Sequence, residues 1–204
     1  MMAGLTVADL GRPSERRLAH LYDAALVVGG SIVIALCAQI AIGYPVPITG
    51  QTFAVLMVAA MLGSRRGTLC ILTYLAEGLL GLPVFAQGKG GLVAFLGPTG
   101  GYLVGFVFAV CIVGALSERT WDRRMLTTIA TMVLGNVVIY VCGLAWLLCL
   151  VHLFAKPLAG SVLAAGLYPF LVGDVLKIIL AAILLPSGWK IIRYFRLDGT
   201  ADIR

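Results

Sequence analysis

The chain has 204 residues, of which 61% are hydrophobic and 12% are charged, and its formal net charge is +6. Soluble domains carry roughly 45–50% apolar and about 25% charged residues, so this composition excludes an ordinary soluble domain. The apolar runs are continuous rather than alternating in polarity, which predicts membrane-spanning helices and excludes a β-barrel. We therefore expect no strands.

The first 23 residues are polar and charged, and we expect them to form a cytoplasmic segment. Arg12, Arg16 and Arg17 precede an apolar run that is too long for the core of a signal peptide. No cleavage is therefore expected.

Six apolar runs predict an all-α membrane domain over residues 24–186. Charged residues, prolines and glycines bound the runs, which gives helices at about 24–43, 53–63, 67–81, 99–116, 126–154 and 161–186. The remaining residues, 187–204, are expected to form a cytoplasmic tail.

The basic residues are divided unequally between the two sides of these six helices. With the amino terminus inside, twelve of the 15 lysines and arginines fall in inner segments, two (Lys89 and Lys156) in outer loops, and one (Lys177) in the last helix. Because Lys and Arg accumulate on the cytoplasmic side, this distribution predicts that both termini lie inside. It is a topology signal and does not indicate nucleic-acid binding.

The second predicted helix is too short to cross a bilayer alone. The stretch that contains it, 51–63, has 13 residues and rises about 20 Å against a hydrocarbon core of about 30 Å. A re-entrant hairpin would place Arg65 and Arg66 deep in the membrane at about 2.5–3.5 kcal/mol each or more, so a true crossing is favoured. Residues 43–50, with two prolines and two glycines, would then enter the membrane in extended form.

Two irregular segments, 43–50 and 82–98, fall on the outer side. Non-helical backbone at membrane depth is tolerated only where it is buried in protein or lines a cavity. The segment 82–98 is too apolar for a solvated loop and is expected to fold down over the bundle. A binding pocket in the outer half is one interpretation, and a loop packed against helix ends is the other.

Ionisable and polar groups within the helices are few, and such groups tend to mark ligand sites. Asp174 and Lys177 are three residues apart and share a face of the last helix, while Asn136 and Tyr140 are four apart on the fifth. The alternative for the charged pair is a structural ion pair. Glu77, near the outer interface, is read as a solvated carboxylate.

Four spaced segments then carry a resemblance over residues 24–185. They are Pro45-Val-Pro-Ile-Thr-Gly-Gln-Thr52, Gly81-Leu-Pro-Val-Phe-Ala86, Gly97-Pro-Thr-Gly-Gly-Tyr-Leu-Val-Gly-Phe106 and Gly173-Asp174-x-x-Lys177. Together they resemble the BioY family, the biotin-specific S components of energy-coupling factor (ECF) transporters. The resemblance implies a six-helix S component in the bacterial inner membrane that captures biotin on the outer side. It also implies a T component and ATP-binding subunits as partners.

This resemblance gives the polar residues a role. The ureido ring of biotin offers two N–H donors and one carbonyl acceptor, so Asp174 would accept from it while Lys177 and Asn136 would donate to it. Further candidates for substrate binding are Gln51 from the first segment and the apolar or aromatic walls Tyr102, Phe53, Tyr140 and Trp146. For the biotin carboxylate the candidates are Lys89, Gly90, Gly91 and the amino end of the fourth helix at residues 99–101.

Partner docking is expected on the first helix. Ala25-x-x-x-Gly29 and Ser31-x-x-x-Ala35 are small-residue patterns that permit close helix approach, as the resemblance implies for the T component.

Two other functions stay open at this point. An S component for another small vitamin would share these features, whereas an intramembrane enzyme would need a Ser and His dyad or clustered carboxylates, which the spans lack. The five cysteines have no C-x-x-C spacing, so no metal or cofactor is predicted. No Walker A sequence occurs, and ATP hydrolysis is therefore assigned to partner subunits.

Overall fold

The computed structural model describes residues 4–43, 46–153 and 161–198 and is mainly helical. Its helices are α1 (Arg16–Gln39), α2 (Gln51–Leu79), α3 (Gly91–Phe95), α4 (Gly100–Glu118), α5 (Met125–Leu153), α6 (Val162–Gly166) and α7 (Tyr168–Asp198). Three short 3₁₀ helices join them, at Val7–Gly11, Ala86–Gly88 and Trp121–Arg123. Among the described residues, five helical stretches are long and apolar enough to cross a membrane, and α2 counts as one of them.

Helix α2 reverses direction at Gly63. This residue has φ of 82° and ψ of −178°, a backbone conformation that glycine adopts readily. Across the reversal, the side-chain amide of Gln51 donates a 2.7 Å hydrogen bond to the hydroxyl of Tyr74. In a straight helix these residues would be about 35 Å apart. Helix α2 is therefore two antiparallel arms, 51–62 and 64–79, which correspond to the second and third predicted helices.

The segment between α1 and α2 forms a small β-ribbon. Strand β1 (Ala41–Ile42) pairs antiparallel with β2 (Ile48–Thr49), and the N–H of Gly50 bonds to the carbonyl of Ile40. The expectation that the chain has no strands was wrong, because extended backbone that enters the bundle needs partners for its N–H and C=O groups. Residues 44 and 45 lie outside the described part of the chain.

Two helices extend beyond the apolar runs that predicted them. Helix α1 begins at Arg16 rather than near residue 24, and α7 continues through Pro186 to Asp198. Proline removes one N–H from the ladder and its ring crowds the carbonyl four residues before it, yet the helix continues. Trp189, beyond the proline, is 1% exposed. The indole N–H of Trp189 donates to Asp122, and the Arg123 guanidinium lies 4.1 Å from the centre of the indole ring. Residues 187–198 of the predicted cytoplasmic tail are thus helical and continue α7. Residues 199–204 and Lys156 lie outside the described residues.

Helix α4 is the centre of the bundle. It packs between α2 and α5, while α1 covers α2 and α7 covers α5. Close approach depends on glycine: a Cβ on Gly114 would lie 2.4 Å from the backbone nitrogen of Ser64 at the reversal in α2. The outer faces of α1 and α7 expose large apolar side chains, such as Leu36 at 65% and Leu176 at 66%, as expected for surfaces that contact lipid.

One end of the bundle is closed by a network of ion pairs. Arg66, at the reversal of α2, lies 2.7 Å from both Asp9 and Asp23, and Asp23 also accepts from Arg12 at 2.8 Å. Burial opposes ionisation of Asp9, but hydrogen bonds from Thr6 and Arg66 outweigh it and hold the pKa of Asp9 below its ordinary value. We call this the basic end; the β-ribbon and the segment 82–98 lie at the opposite end.

Candidate functional site

A central cavity opens at the end of the bundle opposite the basic end. About 50 Å³ of it is open to the centre of a water molecule, and the space free of protein atoms, counted out through its mouth into solvent, is about 550 Å³. The first arm of α2, α4, α5 and α7 form its walls, and residues of the β-ribbon and the 3₁₀ helix Ala86–Gly88 cover it. Its lining residues are Val46, Pro47, Thr49, Gln51, Thr52, Phe85, Ala86, Thr99, Tyr102, Leu103, Phe106, Ile139, Tyr140, Phe170, Asp174 and Lys177.

Asp174 lies in the cavity wall, and its carboxylate is bonded on both oxygens. Oδ1 lies 3.1 Å from the Lys177 ammonium, and Oδ2 accepts from the hydroxyl of Tyr140 on α5. Lys177 donates a second bond, of 2.9 Å, to the Thr52 hydroxyl on α2. Asp174 is 4% exposed, so these bonds offset the cost of holding a charge away from water. The predicted pair therefore exists, lines the cavity and ties three helices together.

Gln51 connects the cavity to its cover. Its amide nitrogen donates to Tyr74, and the hydroxyl of Tyr74 donates in turn to the carbonyl of Val84 at 3.0 Å. Because the nitrogen is used in this way, the amide oxygen of Gln51 is the atom left to serve as an acceptor for a ligand.

Aromatic rings form one wall. The ring of Phe170, at the start of α7, lies between Tyr102 and Tyr140, with centroid distances of 6.5 and 6.4 Å. The hydroxyl of Tyr102 donates a buried 2.7 Å bond to the carbonyl of Gly166, which fixes the junction of α6 and α7. An apolar body with few polar groups suits a ligand that is itself largely apolar.

The segment 82–98 folds over the bundle, as expected. Phe85 is 4% exposed and packs edge-on against Tyr74, and a Cβ on Gly78 would lie only 2.1 Å from its ring. The side chain of Gln39 on α1 accepts from the N–H of Gly88, and the amide of Gln87 donates to the carbonyl of Gly43. These bonds join the cover to α1 and to the β-ribbon.

Three predicted site residues lie behind the cavity rather than in its lining. Asn136 and Phe53 border a separate, smaller cavity towards the basic end. Trp146 packs on Gly101, and its indole N–H donates to the carbonyl of Gly97 at 2.9 Å, which holds the turn that precedes α4.

The candidates for carboxylate binding also lie outside the lining. Lys89 is exposed and its ammonium donates to Gln87 at 2.9 Å, while Gly90 and Gly91 follow it in the cover. At the start of α4, the N–H groups of residues 100, 102 and 103 are already bonded to the carbonyls of Gly97 and Thr99. Of that turn, Thr99 itself lines the cavity.

Several lining residues were not predicted. Thr52 directly follows Gln51 in the first of the four segments, so its position beside a candidate was a usable signal. Phe170 lies in an apolar run that offers no signal for a ligand. Phe85 was part of a segment that carries the resemblance, but sequence alone does not show that its ring turns inward.

Two polar residues, Glu77 on α2 and Ser31 on α1, have surroundings that differ from those expected. Glu77 is half-buried and accepts a 3.0 Å bond from Ser31, so it is not simply a solvated carboxylate. Ser31 is 0% exposed and points into the bundle, which removes it from any docking face in this conformation. Ala25 and Gly29 are exposed, and Ala35 is half-buried.

No group of three or more potential metal ligands occurs within the described residues.

Comparison with known proteins gives one consistent result. The sequence model of the BioY family matches residues 12–194. The biotin transporter BioY of Rhizobium etli is 37% identical over 169 residues, 78% of this chain and 87% of the relative. That of Thermotoga maritima is 37% identical over 166 residues, 81% of this chain and 90% of the relative. A solved structure, the S-component for biotin from an ECF-type ABC transporter, aligns with a TM-score of 0.70 at 26% identity, covering 87% of this chain and 95% of that one.

Proposed function

The chain belongs to the BioY family, and we propose that its central cavity binds biotin as the first step of biotin uptake. The family is one of transporter components, so the chain is not an enzyme and the intramembrane enzyme considered above is set aside.

The observation that carries the proposal is the charge pattern of the cavity. Among the lining residues that the structure describes, only Asp174 and Lys177 are charged, and their charges cancel across a 3.1 Å contact. A cavity whose only charges form such a pair suits a neutral polar group that both donates and accepts hydrogen bonds, and the ureido ring of biotin is such a group. An ionised carboxylate or ammonium placed there would be left without a counter-ion.

The remaining hydrogen-bonding capacity fits this ring. Lys177 has three N–H donors and uses two, and each oxygen of Asp174 has a second lone pair. The oxygen of Gln51 adds an acceptor on the α2 side. The ring N–H groups would bond to Asp174 and Gln51, and the ring carbonyl would replace the Thr52 hydroxyl as the acceptor of one Lys177 N–H.

The rest of biotin is assigned by polarity. The thiophane ring and aliphatic chain would lie along Tyr102, Tyr140 and Phe170. The carboxylate would point to the mouth, where water lowers the cost of its charge and where the Thr99 hydroxyl lies. Lys89, Gly90 and Gly91 in the cover remain candidates to contact it when the ligand is present.

We also infer six crossings with both termini inside, in the bacterial inner membrane. The two arms of α2 run antiparallel, and Arg66 at their junction pairs with Asp9 of the amino-terminal segment. The junction therefore lies at the basic end, which supports two full crossings by α2 rather than a re-entrant hairpin.

A T component and ATP-binding subunits are proposed as partners. The chain has no ATP-binding sequence of its own, and the exposed pair Ala25 and Gly29 on α1 would permit a partner helix to approach closely.

Biotin uptake by a biotin-auxotrophic bacterium tests the proposal. We expect growth on trace biotin when this chain is expressed with T and ATP-binding subunits, and competition by unlabelled biotin but not by other small vitamins. Equal competition by an unrelated vitamin would overturn the substrate, and full uptake by the chain alone would overturn the need for energising partners.

A further inference from the structure

Asn136 forms no hydrogen bond with any other residue that the structure describes. It lies on α5, is 7% exposed, and borders both a small cavity towards the basic end and an open apolar groove between α5 and α7. Amide groups with so little exposure are nearly always hydrogen-bonded, to protein or to an ordered water molecule. Something that can bond to the amide is therefore expected beside it.

A small cavity adjoins this amide. It is lined by Thr52, Phe53, Leu56, Met132, Asn136, Lys177 and Ile178. The space open to the centre of a water molecule is about 10 Å³, which is about what one water molecule requires. Thr52 and Lys177 also line the central cavity, so these two side chains border both spaces. We call the smaller space the lower cavity.

The wall between the two cavities has unused hydrogen-bonding capacity. The Lys177 ammonium uses two of its three N–H groups, on Thr52 and Asp174. The Thr52 hydroxyl accepts from Lys177, and its own hydrogen has no acceptor among the described residues. With the amide of Asn136, this makes three polar groups around a space of one water molecule.

The chemistry of the lower cavity selects its occupant. A metal ion would meet the positive charge of Lys177, and no carboxylate lines the space. A water molecule can accept from an ammonium while it donates to an amide oxygen, and it needs two to four such partners to be stable in a protein interior.

We propose that one ordered water molecule occupies the lower cavity and joins Asn136 to Lys177. It accepts from the third N–H of Lys177 and donates to Oδ1 of Asn136, with the Thr52 hydroxyl as a further partner. Asn136 is then a positioning residue: through the water it holds the ammonium at the floor of the central cavity. This inference rests on the proposed binding of biotin and adds a residue that acts behind the ligand.

A double-mutant cycle on biotin affinity tests the link, because a residue that acts only through Lys177 has no effect once Lys177 is replaced. We expect Asn136→Val to weaken binding about tenfold in the wild-type background, about the loss of one hydrogen bond to a charged group. In the Lys177→Met background the further loss should be under about twofold. Asn136→Ser, which keeps a polar group and leaves room for water, should recover part of the affinity. Val137→Ala, on the lipid side of the same helix, is the matched control and should leave affinity unchanged.

The outcomes separate this inference from the proposed function. Failure of the wild-type protein to bind biotin would overturn the proposed function. Normal binding with an unaffected Asn136→Val variant, or an equal loss in both backgrounds, would overturn the positioning role. Should Lys177→Met abolish binding, a high-resolution experimental structure decides: density for water within hydrogen-bond distance of Asn136 and Lys177, lost in Asn136→Val, supports the inference, and an empty lower cavity overturns it.

Discussion

Asp174 is a charged residue placed where charge is costly, in a helix that is long and apolar enough to cross a membrane. The buried carboxylate is stabilised there because the Lys177 ammonium neutralises one oxygen and the Tyr140 hydroxyl donates a hydrogen bond to the other. The same bonds orient the carboxylate in the cavity wall. Structural ion pair and ligand site, the two interpretations of this pair, are thus compatible: the pair holds the helices and presents hydrogen-bonding groups to the cavity.

Replacing Asp174 by Asn should weaken biotin binding at least tenfold, which is about 1.4 kcal/mol. The substitution removes a charged acceptor from a site with little water and leaves Lys177 without its counter-ion. Isothermal titration of biotin into purified variant and wild-type protein measures the change. Unchanged affinity would return Asp174 to a purely structural role.

Asp122 provides the matched control. It is as buried as Asp174, at 1% against 4% exposure, but it lies at the basic end, away from the central cavity. Burial raises the pKa of Asp122, which the hydrogen bond from Trp189 only partly opposes. Asn at this position can still accept from the indole N–H. Asp122→Asn should therefore keep wild-type affinity for biotin, and a loss as large as that of Asp174→Asn would show that the assay reports general destabilisation.

Helical spacing predicted that Asp174 and Lys177 share a face, and their 3.1 Å contact confirms it. Helical spacing does not show how far along the bundle axis a side chain lies from the cavity. Asn136 is four residues before Tyr140, about 6 Å along the helix axis, and that distance places it below the cavity floor. Phe170 could not be predicted, because an apolar ring in an apolar run carries no signal for a ligand.

At the scale of elements, the reversal in α2 determines where the cavity lies. Two arms of 12 and 16 residues fit side by side because Gly63 turns the chain within one residue. The first arm is short, so the β-ribbon completes its length, and the ribbon in turn supplies Val46, Pro47 and Thr49 to the cavity. The short span and the two prolines predicted extended backbone over residues 43–50, but they did not predict that this backbone pairs as strands.

Gly63→Ala should destabilise the protein by about 2 kcal/mol or more. An alanine at φ of 82° and ψ of −178° costs roughly 1–3 kcal/mol, and its Cβ would lie 2.7 Å from Glu118 and 2.9 Å from Thr6. Thermal unfolding in detergent should show a clearly lower midpoint. Gly188→Ala is the control, because nothing lies within 4 Å of its Cβ position in α7 and alanine favours helix by up to about 1 kcal/mol. Equal midpoints for the two variants would contradict the assigned strain at Gly63.

The end of α7 was not predictable from hydropathy. Pro186 and the basic residues after it are typical of a helix end followed by a tail, yet the helix continues for twelve more residues, to Asp198. The decisive contact is tertiary: Trp189 is buried against Asp122 and Arg123, far away in sequence. Such a partner cannot be identified from a local pattern.

For the whole molecule, the two ends of the bundle have different chemistry. The basic end is held by Arg66 with Asp9 and Asp23, and the opposite end carries the cavity with its cover. This polarity follows from the distribution of Lys and Arg between loops, which predicts that the cavity opens to the outside.

Labelling of introduced cysteines in intact cells tests this orientation. In a variant without the five native cysteines, Lys89→Cys in the cover should react with a membrane-impermeant maleimide, whereas Arg65→Cys at the reversal of α2 should react only after permeabilisation. Both side chains are exposed in the structure, so accessibility alone does not distinguish them. The reverse labelling would invert the topology.

The most direct test of the central claim is a titration of biotin into the purified, monodisperse chain in detergent, without any partner subunit. A site formed entirely by this chain should give saturable heat with one biotin per chain. Asp174→Asn should weaken the affinity, and Asp122→Asn should not. Absence of heat with protein that remains folded would contradict the assignment of the central cavity as a biotin site.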